Sequence, residues 1–309
     1  MASKGRFYRG RTDIIKSMEK NKQKGIDLMS MSSVTICSIV RDCNKCLIKN
    51  IPVIEKIRSC FKSSKVIIIE NDSVDGTKQT LAKWKTDSHN VHIHSNDYNH
   101  ETIPAKWTSA VNKFYSNYRI SKMAEYRNQY LYLLNNEEFK TDFVIVVDLD
   151  VARLDIDGII HSFSISDIWD VICSNGVSYS PALKKRYYDT YALVEMGQEN
   201  KAQTVNSIQT NRKIWSFLKP GLPLIPVYSA YGGLAIYRFE AIKGKKYTAI
   251  KNEDDEVEVK CEHFSLCHEI RKAGFSRIYI NPDMNLKYQR ISLKIILGYL
   301  TRIIKYQMN

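Results

Sequence analysis

The chain has 309 residues, 44% hydrophobic and 26% charged, the balance of a globular protein able to bury a large core. No run approaches the ~18 apolar residues of a membrane span, and the basic start around Lys4, Arg6, Arg9, Arg11 and Lys16 has no signal-peptide core, so a cytoplasmic location is expected. The formal charge of +13 calls for anionic partners, but with basic residues scattered and no recognisable module, no nucleic acid is expected; phosphorylated substrates or an anionic membrane surface fit better.

In chain order, residues 1–32 read as a basic extension with at most a short helix. Val34-Thr35-Ile36-Cys37-Ser38-Ile39-Val40 predicts a strand that stops at Arg41-Asp42. Residues 46–62 follow with helical spacing, then Lys65 to Glu70 as an apolar strand of the kind covered on both faces. Asn71 to Thr77 is a turn into a helix carrying Leu81 and Trp84, and Val91 to His94 a short strand. Residues 119–135 predict a helix, and Asp142 to Val147 a strand that runs into Asp148-Leu149-Asp150.

Past Asp150 the pattern loosens. Asp170 to Cys173 reads as a strand, and residues 180–226 as irregular. Tyr231-Gly232-Gly233 reads as a turn into a strand ending near Tyr237. Glu253 to Glu256 is a solvated acidic loop, residues 262–273 a helix, and Arg277 to Ile280 a strand ending at Asn281-Pro282. Ile291 to Tyr306 predicts a basic amphipathic helix, fitted either for packing on the domain or for peripheral contact with anionic membrane.

Alternating strands and helices imply right-handed crossovers and an α/β fold with a mainly parallel sheet. The ligand site then lies outside the carboxyl ends of the strands, where Arg41, Glu70 and Asp148 gather. Seven irregularly spaced cysteines do not form a disulfide framework; Cys43 and Cys46, with Cys37 and Cys60, leave a zinc site as a minor alternative to reduced structural thiols.

Alternate residues of a strand share a face, so Asp148 and Asp150 present two hard oxygen donors suited to Mg²⁺ or Mn²⁺; the bland alternative is a strand end tipped with solvated acids. The run Ile69-Glu70-Asn71-Asp72-Ser73-Val74-Asp75-Gly76-Thr77 resembles the second-strand turn of GT-A glycosyltransferases. Tyr126-Arg127-Asn128 is similar to the Arg-Asn helix that this family places before its D-x-D strand. With Tyr187-Tyr188-Asp189-Thr190-Tyr191, the set is most similar to the capsule-associated mannosyltransferase-like branch, over roughly residues 34–285.

That resemblance implies a metal-dependent transferase moving a sugar from a nucleoside-diphosphate sugar to a glycan or lipid-linked acceptor, with Mn²⁺ or Mg²⁺ as cofactor. Glu70 would read the nucleobase, Asp72 and Asp75 shape the turn at the ribose, and Arg41 meet the nucleotide. Arg127 would approach the diphosphate or the second carboxylate, Asp148 would face the ribose and Asp150 the metal. Two alternatives stay open: Asp72, Ser73 and Asp75 capping a helix, and Arg127 forming a surface ion pair. The family's Gly-Gly strand precedes a Glu-Asp pair whose Asp is the base; here Glu262-His263 stands there, so Glu262 is the base, or His263 is the base or a metal ligand. Tyr188, Asp189 and Tyr191 either contact the acceptor or pack within the domain.

The expected organisation is an extension at 1–32, a catalytic domain at 33–288 with a nucleotide-sugar half to about 150 and an acceptor half from 151, and a terminal helix at 289–309. A sugar-1-phosphate nucleotidyltransferase is disfavoured because no Gly-rich loop follows Val40. The rival of another class is a non-catalytic glycan- or nucleic-acid-binding protein on a degenerate transferase fold.

Overall fold

The computed structural model describes residues 19–289 except 102, 104–110 and 181. The expected terminal helix at 291–306 and the first part of the basic extension lie outside the described residues. Twelve strands occur among them: β1 Ser33–Val40, β2 Ser63–Asn71, β3 Val91–Asn96, β4 Phe143–Val147, β5 Arg153–Leu154, β6 Val171–Tyr179, β7 Lys185–Tyr187, β8 Ile225–Pro226, β9 Leu234–Arg238, β10 Ile250–Lys251, β11 Val259–Lys260 and β12 Ile278–Lys287. The helices are α1 at residues 19–31, α2 Asn44–Arg58, α3 Thr77–Asp87, α4 Asn117–Leu134, α5 Ile156–Ser164, α6 Val205–Ile214, α7 Phe239–Ile242 and α8 Glu262–Lys272.

The main sheet has the order β3-β2-β1-β4-β9-β6-β12-β5. Strands β3, β2, β1 and β4 are mutually parallel, and so are β6 and β12; β9 runs antiparallel between the two blocks. The strand order reverses at β1, whose neighbours are β2 and β4, so a crevice opens at the carboxyl ends of β1 and β4. That is the expected α/β architecture, with the parallel strands in the half that carries the first motifs.

Side-chain parity divides the core in two. Cys37, Ile67, Ile69, Val144 and Val146 face one side, packed with Tyr130, Leu131 and Leu134 of α4 and Leu266 and Ile270 of α8. Ile36, Val66, Ile68, Ile145 and Val147 face the other, packed with Leu47 and Ile54 of α2, Leu81 and Trp84 of α3, and Phe163 of α5. Each strand is apolar on both faces, which is why β2 and β4 read as continuous apolar runs.

Several expectations change. Residues 19–31 are not a loose extension: Met29 is fully buried in the second core cluster, and Lys22 and Lys24 pair with Asp157 and Asp167 at 2.7 and 3.1 Å. The stretch read as irregular contains α6, started by a reciprocal cap between Thr204 and Ser207. Strand β12 continues through Asn281-Pro282 to Lys287, because the proline falls in a register shift between Asn281 and Asn285 where no ladder bond is demanded of it.

All seven cysteines are free thiols. Cys37 belongs to one core cluster and Cys43 to the other, on opposite sides of the sheet, so the zinc alternative has no gathered ligand set. No helix among the described residues is long and apolar enough to cross a membrane.

Candidate active site

The turn after β2 is built by its own acids. Glu70 is fully buried; one carboxylate oxygen accepts from the Ser73 amide at 2.9 Å and the other from the Ser95 hydroxyl. Asp75 accepts from the Thr77 amide and hydroxyl at 3.1 and 2.6 Å and from the Asn44 amide at 3.0 Å, tying the starts of α3 and α2 together. Asp72, at φ 54°, accepts from the Asn99 amide at 2.7 Å and Asn71 Nδ2 at 2.9 Å, with Arg41 Nη1 3.8 Å away. Burial opposes ionisation of Asp72, but these hydrogen bonds hold its carboxyl below the ordinary range. Of the alternatives open for this turn, holding helix starts describes Asp75, while the Ser73 hydroxyl accepts from the Asp42 amide at 3.0 Å; Glu70 is closed onto the turn rather than turned to the crevice. Arg41, Asp42 and Asn71 do line it.

The crevice is a cleft of about 1240 Å³. At its floor stand side chains from four separate parts of the chain. Parity sets Asp148, one residue past Val147, on the α4 and α8 side of the sheet. Leu149 and Val151 are buried on the opposite side, so Asp150 enters the same cleft although β4 has already ended at Val147. Arg127 on α4 donates from Nε to Glu262 Oε1 at 3.1 Å, and its Nη2 lies 3.6 Å from Asp148 Oδ1. Its guanidinium sits over the rings of Tyr231 and Tyr247, at 5.2 and 5.8 Å. Arg127 is 4% exposed, so the surface ion pair is excluded.

The Gly-Gly turn supports this floor. Gly232 and Gly233 have φ of 69° and 92°, and the Gly233 carbonyl accepts from the Asp148 amide at 2.8 Å. The preceding Tyr231 donates its hydroxyl to Asp148 Oδ1 at 2.9 Å. This contact was not anticipated from the sequence, although Tyr231 adjoins a motif that was.

One buried guanidinium faces Asp148, Asp150, Asp189 and Glu262, and the acids feel the shortage of positive charge. Burial pushes the Asp148 carboxyl up to about 7; Asp150 and Glu262 add to the rise, while Arg127 and the Tyr231 hydroxyl resist it. Asp189, half-buried in the cleft wall at φ 62°, is raised to about 7 by burial and by the charges of Asp148 and Glu262. Two carboxyls tuned to neutrality in one cleft are a mark of functional sites. Tyr188 stacks on Tyr288, ring centroids 4.1 Å apart and 11° from parallel, and both line the cleft. Tyr191 lines it too, with its hydroxyl donated to the Val259 carbonyl. Tyr288 carried no signal in the sequence, since the last strand was expected to end before it.

His263 lines the same cleft as Asp148 and Asp150. Its ring stacks on Tyr231 at 3.8 Å and meets Tyr247 edge-on at 5.4 Å, and it is 2% exposed. Neither ring nitrogen has a hydrogen-bond partner, and Nε2 is 3.9 Å from Glu262 Oε1. Burial, helped by the Arg127 charge, drives its pKa well below the ordinary value, so the ring is neutral. Among the described residues no group of three or more His, Cys, Asp or Glu side chains is placed to hold a metal. His263 thus stands at the cleft with its ring packed on Tyr231 and Tyr247 and both nitrogens unpartnered. Asp148 and Asp150 do fit a hard divalent cation: both are oxygen donors at one cleft, and desolvation by the cleft walls has raised both toward the protonated form although Asp150 stays exposed at the mouth, a rise that a cation would reverse.

No curated protein sequence matches the chain. Solved structures similar to it include the mannosyltransferase PcManGT from Pyrobaculum calidifontis, in complex with GDP-Man and Mn2+, at 11% identity and a TM-score of 0.45, covering 90% of this chain and 66% of that one. Others are S. aureus TarS 1–349, at 14% identity and a TM-score of 0.42 with 82% and 59% covered, and mannosyl-3-phosphoglycerate synthase from Rubrobacter xylanophilus, at 11% and 0.43 with 93% and 78% covered. The chain thus spans less than two thirds of the length of the first two. The family described as "Cryptococcal mannosyltransferase 1" matches residues 33–269, three quarters of the chain, and the chain belongs to that family.

Proposed function

We propose that this chain is a GT-A glycosyltransferase that moves a sugar from a nucleoside-diphosphate donor to a hydroxyl of a glycan or lipid-linked acceptor. The observation that carries the reading is the cleft floor, where Arg127, held by Glu262, stands beside Asp148 and Asp150 at the carboxyl end of a buried strand. Family membership makes a mannosyl donor the first to try.

In this reading the nucleotide lies at the end marked by Arg41, Asp42 and Asn71. Asp148 and Asp150 would hold a divalent cation, Mn²⁺ or Mg²⁺, which when bound neutralises charge on a diphosphate leaving group. Arg127 supplies a second, permanent positive charge. It is buried, fixed by Glu262 and two aromatic faces, and so needs no reorganisation as the diphosphate departs.

Glu262 is occupied in holding Arg127, and His263 is caged between rings. The proton acceptor for the acceptor hydroxyl is therefore assigned to Asp189, a group not considered for that role from the sequence. Burial raises its carboxyl above the ordinary range, toward the basicity that a proton acceptor needs near neutral pH. The stacked Tyr188 and Tyr288 give a sugar an apolar wall beside it.

The reading is tested by incubating the protein with a panel of nucleotide sugars, with and without Mn²⁺, and following release of the nucleotide. Metal-stimulated hydrolysis of one donor, lost in Asp150→Asn, supports it. No hydrolysis of any donor and no binding of any nucleotide would sink it and leave a non-catalytic binding protein.

A further inference from the structure

The far wall of the cleft carries a second positive group that the donor chemistry does not use. Arg119 in the first turn of α4, Arg186 on β7 and Arg212 in the last turn of α6 all line it. None of the three is within ion-pair distance of a carboxylate among the described residues. Arg119 spends Nη1 on the Phe114 carbonyl at 3.1 Å, and its buried Nε has no hydrogen-bond partner. The charges of Arg119 and Arg212 both act on the Tyr115 hydroxyl, and that of Arg119 also on Tyr191 and Tyr288, so these two arginines lie near one patch of tyrosines.

The acids of the cleft do not explain these arginines. Asp148, Asp150, Asp189 and Glu262 cluster around Arg127, and the dominant influences on Asp148 and Asp189 are burial, Arg127 and one another. The cleft thus holds an acid cluster sharing the Arg127 guanidinium, and three further guanidiniums that make no ion pair with those acids. Guanidiniums lining one cleft without counter-charge raise its positive potential, and the buried Arg119 Nε is a donor left unpaired at a cost. An anionic ligand relieves both, and the planar fork of arginine suits the paired oxygens of phosphate or carboxylate. Arg186 and Arg212 stand on β7 and α6, elements that carry none of Arg41, Asp42 and Asn71, which mark the nucleotide end in the reading above, so their anion is assigned to the acceptor.

We infer that this wall is an acceptor subsite for a glycan or glycolipid bearing an anionic group, phosphate or carboxylate, close to the hydroxyl that receives the sugar. The inference rests on the transferase reading above. It assigns Arg119, Arg186 and Arg212 to selection of a charged acceptor over a neutral one.

Calorimetric titration of the full chain, in Mn²⁺ and the nucleoside diphosphate of its best donor, tests this with three probes: methyl α-mannoside, the same glycoside carrying a 6-phosphate, and methyl α-glucuronide. At least one charged glycoside should bind about tenfold or more tightly than the neutral one. Which one it is tells phosphate from carboxylate. The preference should shrink with added salt and fall to within about twofold in Arg186→Gln/Arg212→Gln. Each single variant, checked for an unchanged thermal midpoint, should lose part of it. Equal binding of neutral and charged glycosides overturns the inference. So does a double variant that raises KM for the donor by the same factor as it weakens the glycoside, because the arginines then serve the diphosphate. Donor hydrolysis by the unmodified chain is measured alongside. If it fails, the transferase reading has fallen; if it proceeds without charge preference, only the subsite has.

Discussion

Glu262 Oε1 accepts from Arg127 Nε at 3.1 Å, and both side chains are 5% exposed. The pair joins the start of α8 to the middle of α4 across the cleft floor, and Asp148 takes the other side of the same guanidinium. Removing one member of a buried pair leaves the other charge without compensation. Glu262→Ala should therefore lower the unfolding free energy by about 3–5 kcal/mol in chemical denaturation. Glu262→Gln, which keeps an oxygen for Arg127, should lose less than half of that. Equal losses would show that shape, not charge, is what Glu262 supplies.

Asp150 is exposed at the mouth of the cleft, so its substitution touches chemistry without touching packing. Asp150→Asn should keep the thermal midpoint of the unmodified protein and lose metal-stimulated donor hydrolysis by ~10²-fold or more. A Mn²⁺ titration of the rate checks it; an unchanged response to the metal would remove Asp150 from the cation site.

Asp189 makes a prediction about pH. Its carboxyl is raised from 3.8 to about 7, so the folded protein holds that proton more tightly than the unfolded chain. The group's stabilising contribution is complete below pH 3.8 and is lost as pH rises to about 7. Asp189→Asn is neutral throughout, and asparagine accepts the left-handed φ of 62°. Its thermal midpoint should match the unmodified protein near pH 4, rise above it between pH 4 and 7 to a gain of a few degrees, and hold that gain at higher pH. Transfer activity should fall by ~10²-fold or more if Asp189 takes the proton. A gap that narrows with rising pH contradicts the assignment.

Gly232 has no room for a methyl group. At φ 69°, an added Cβ would lie 2.3 Å from the Ser174 carbonyl oxygen, a backbone atom of β6. Gly232→Ala should cost at least about 2 kcal/mol, from left-handed strain together with displacement of β6. Because Gly233 receives the Asp148 amide, donor hydrolysis should drop as well. A fully stable and active variant would show that the turn can move.

The first half of the chain was largely legible. Strands β1, β2 and β4 are apolar on both faces and end in polar residues, so their place and the carboxylates at their tips follow from local pattern. What each tip residue does was less legible. Glu70 and Asp75 differ from Asp148 only in their partners: Ser73 and Ser95 close Glu70 onto the turn, and Thr77 and Asn44 hold Asp75 at two helix starts. The half after Asp150 hid its elements for another reason. Helix α6 is short and buries only Ile208, so it shows little apolar periodicity, and β12 hides behind Pro282.

By itself the sequence determined the alternation of elements, the family-like motifs and the delivery of Asp148 and Asp150 to one edge, because strand parity and apolar runs are local properties. Only the tertiary structure decided how the charges are shared: Arg127 between Glu262 and Asp148, His263 caged by Tyr231 and Tyr247, Asp189 lifted to neutrality, and three arginines left on the far wall. Those outcomes depend on burial and on neighbours up to 135 positions away along the chain, which no local pattern encodes.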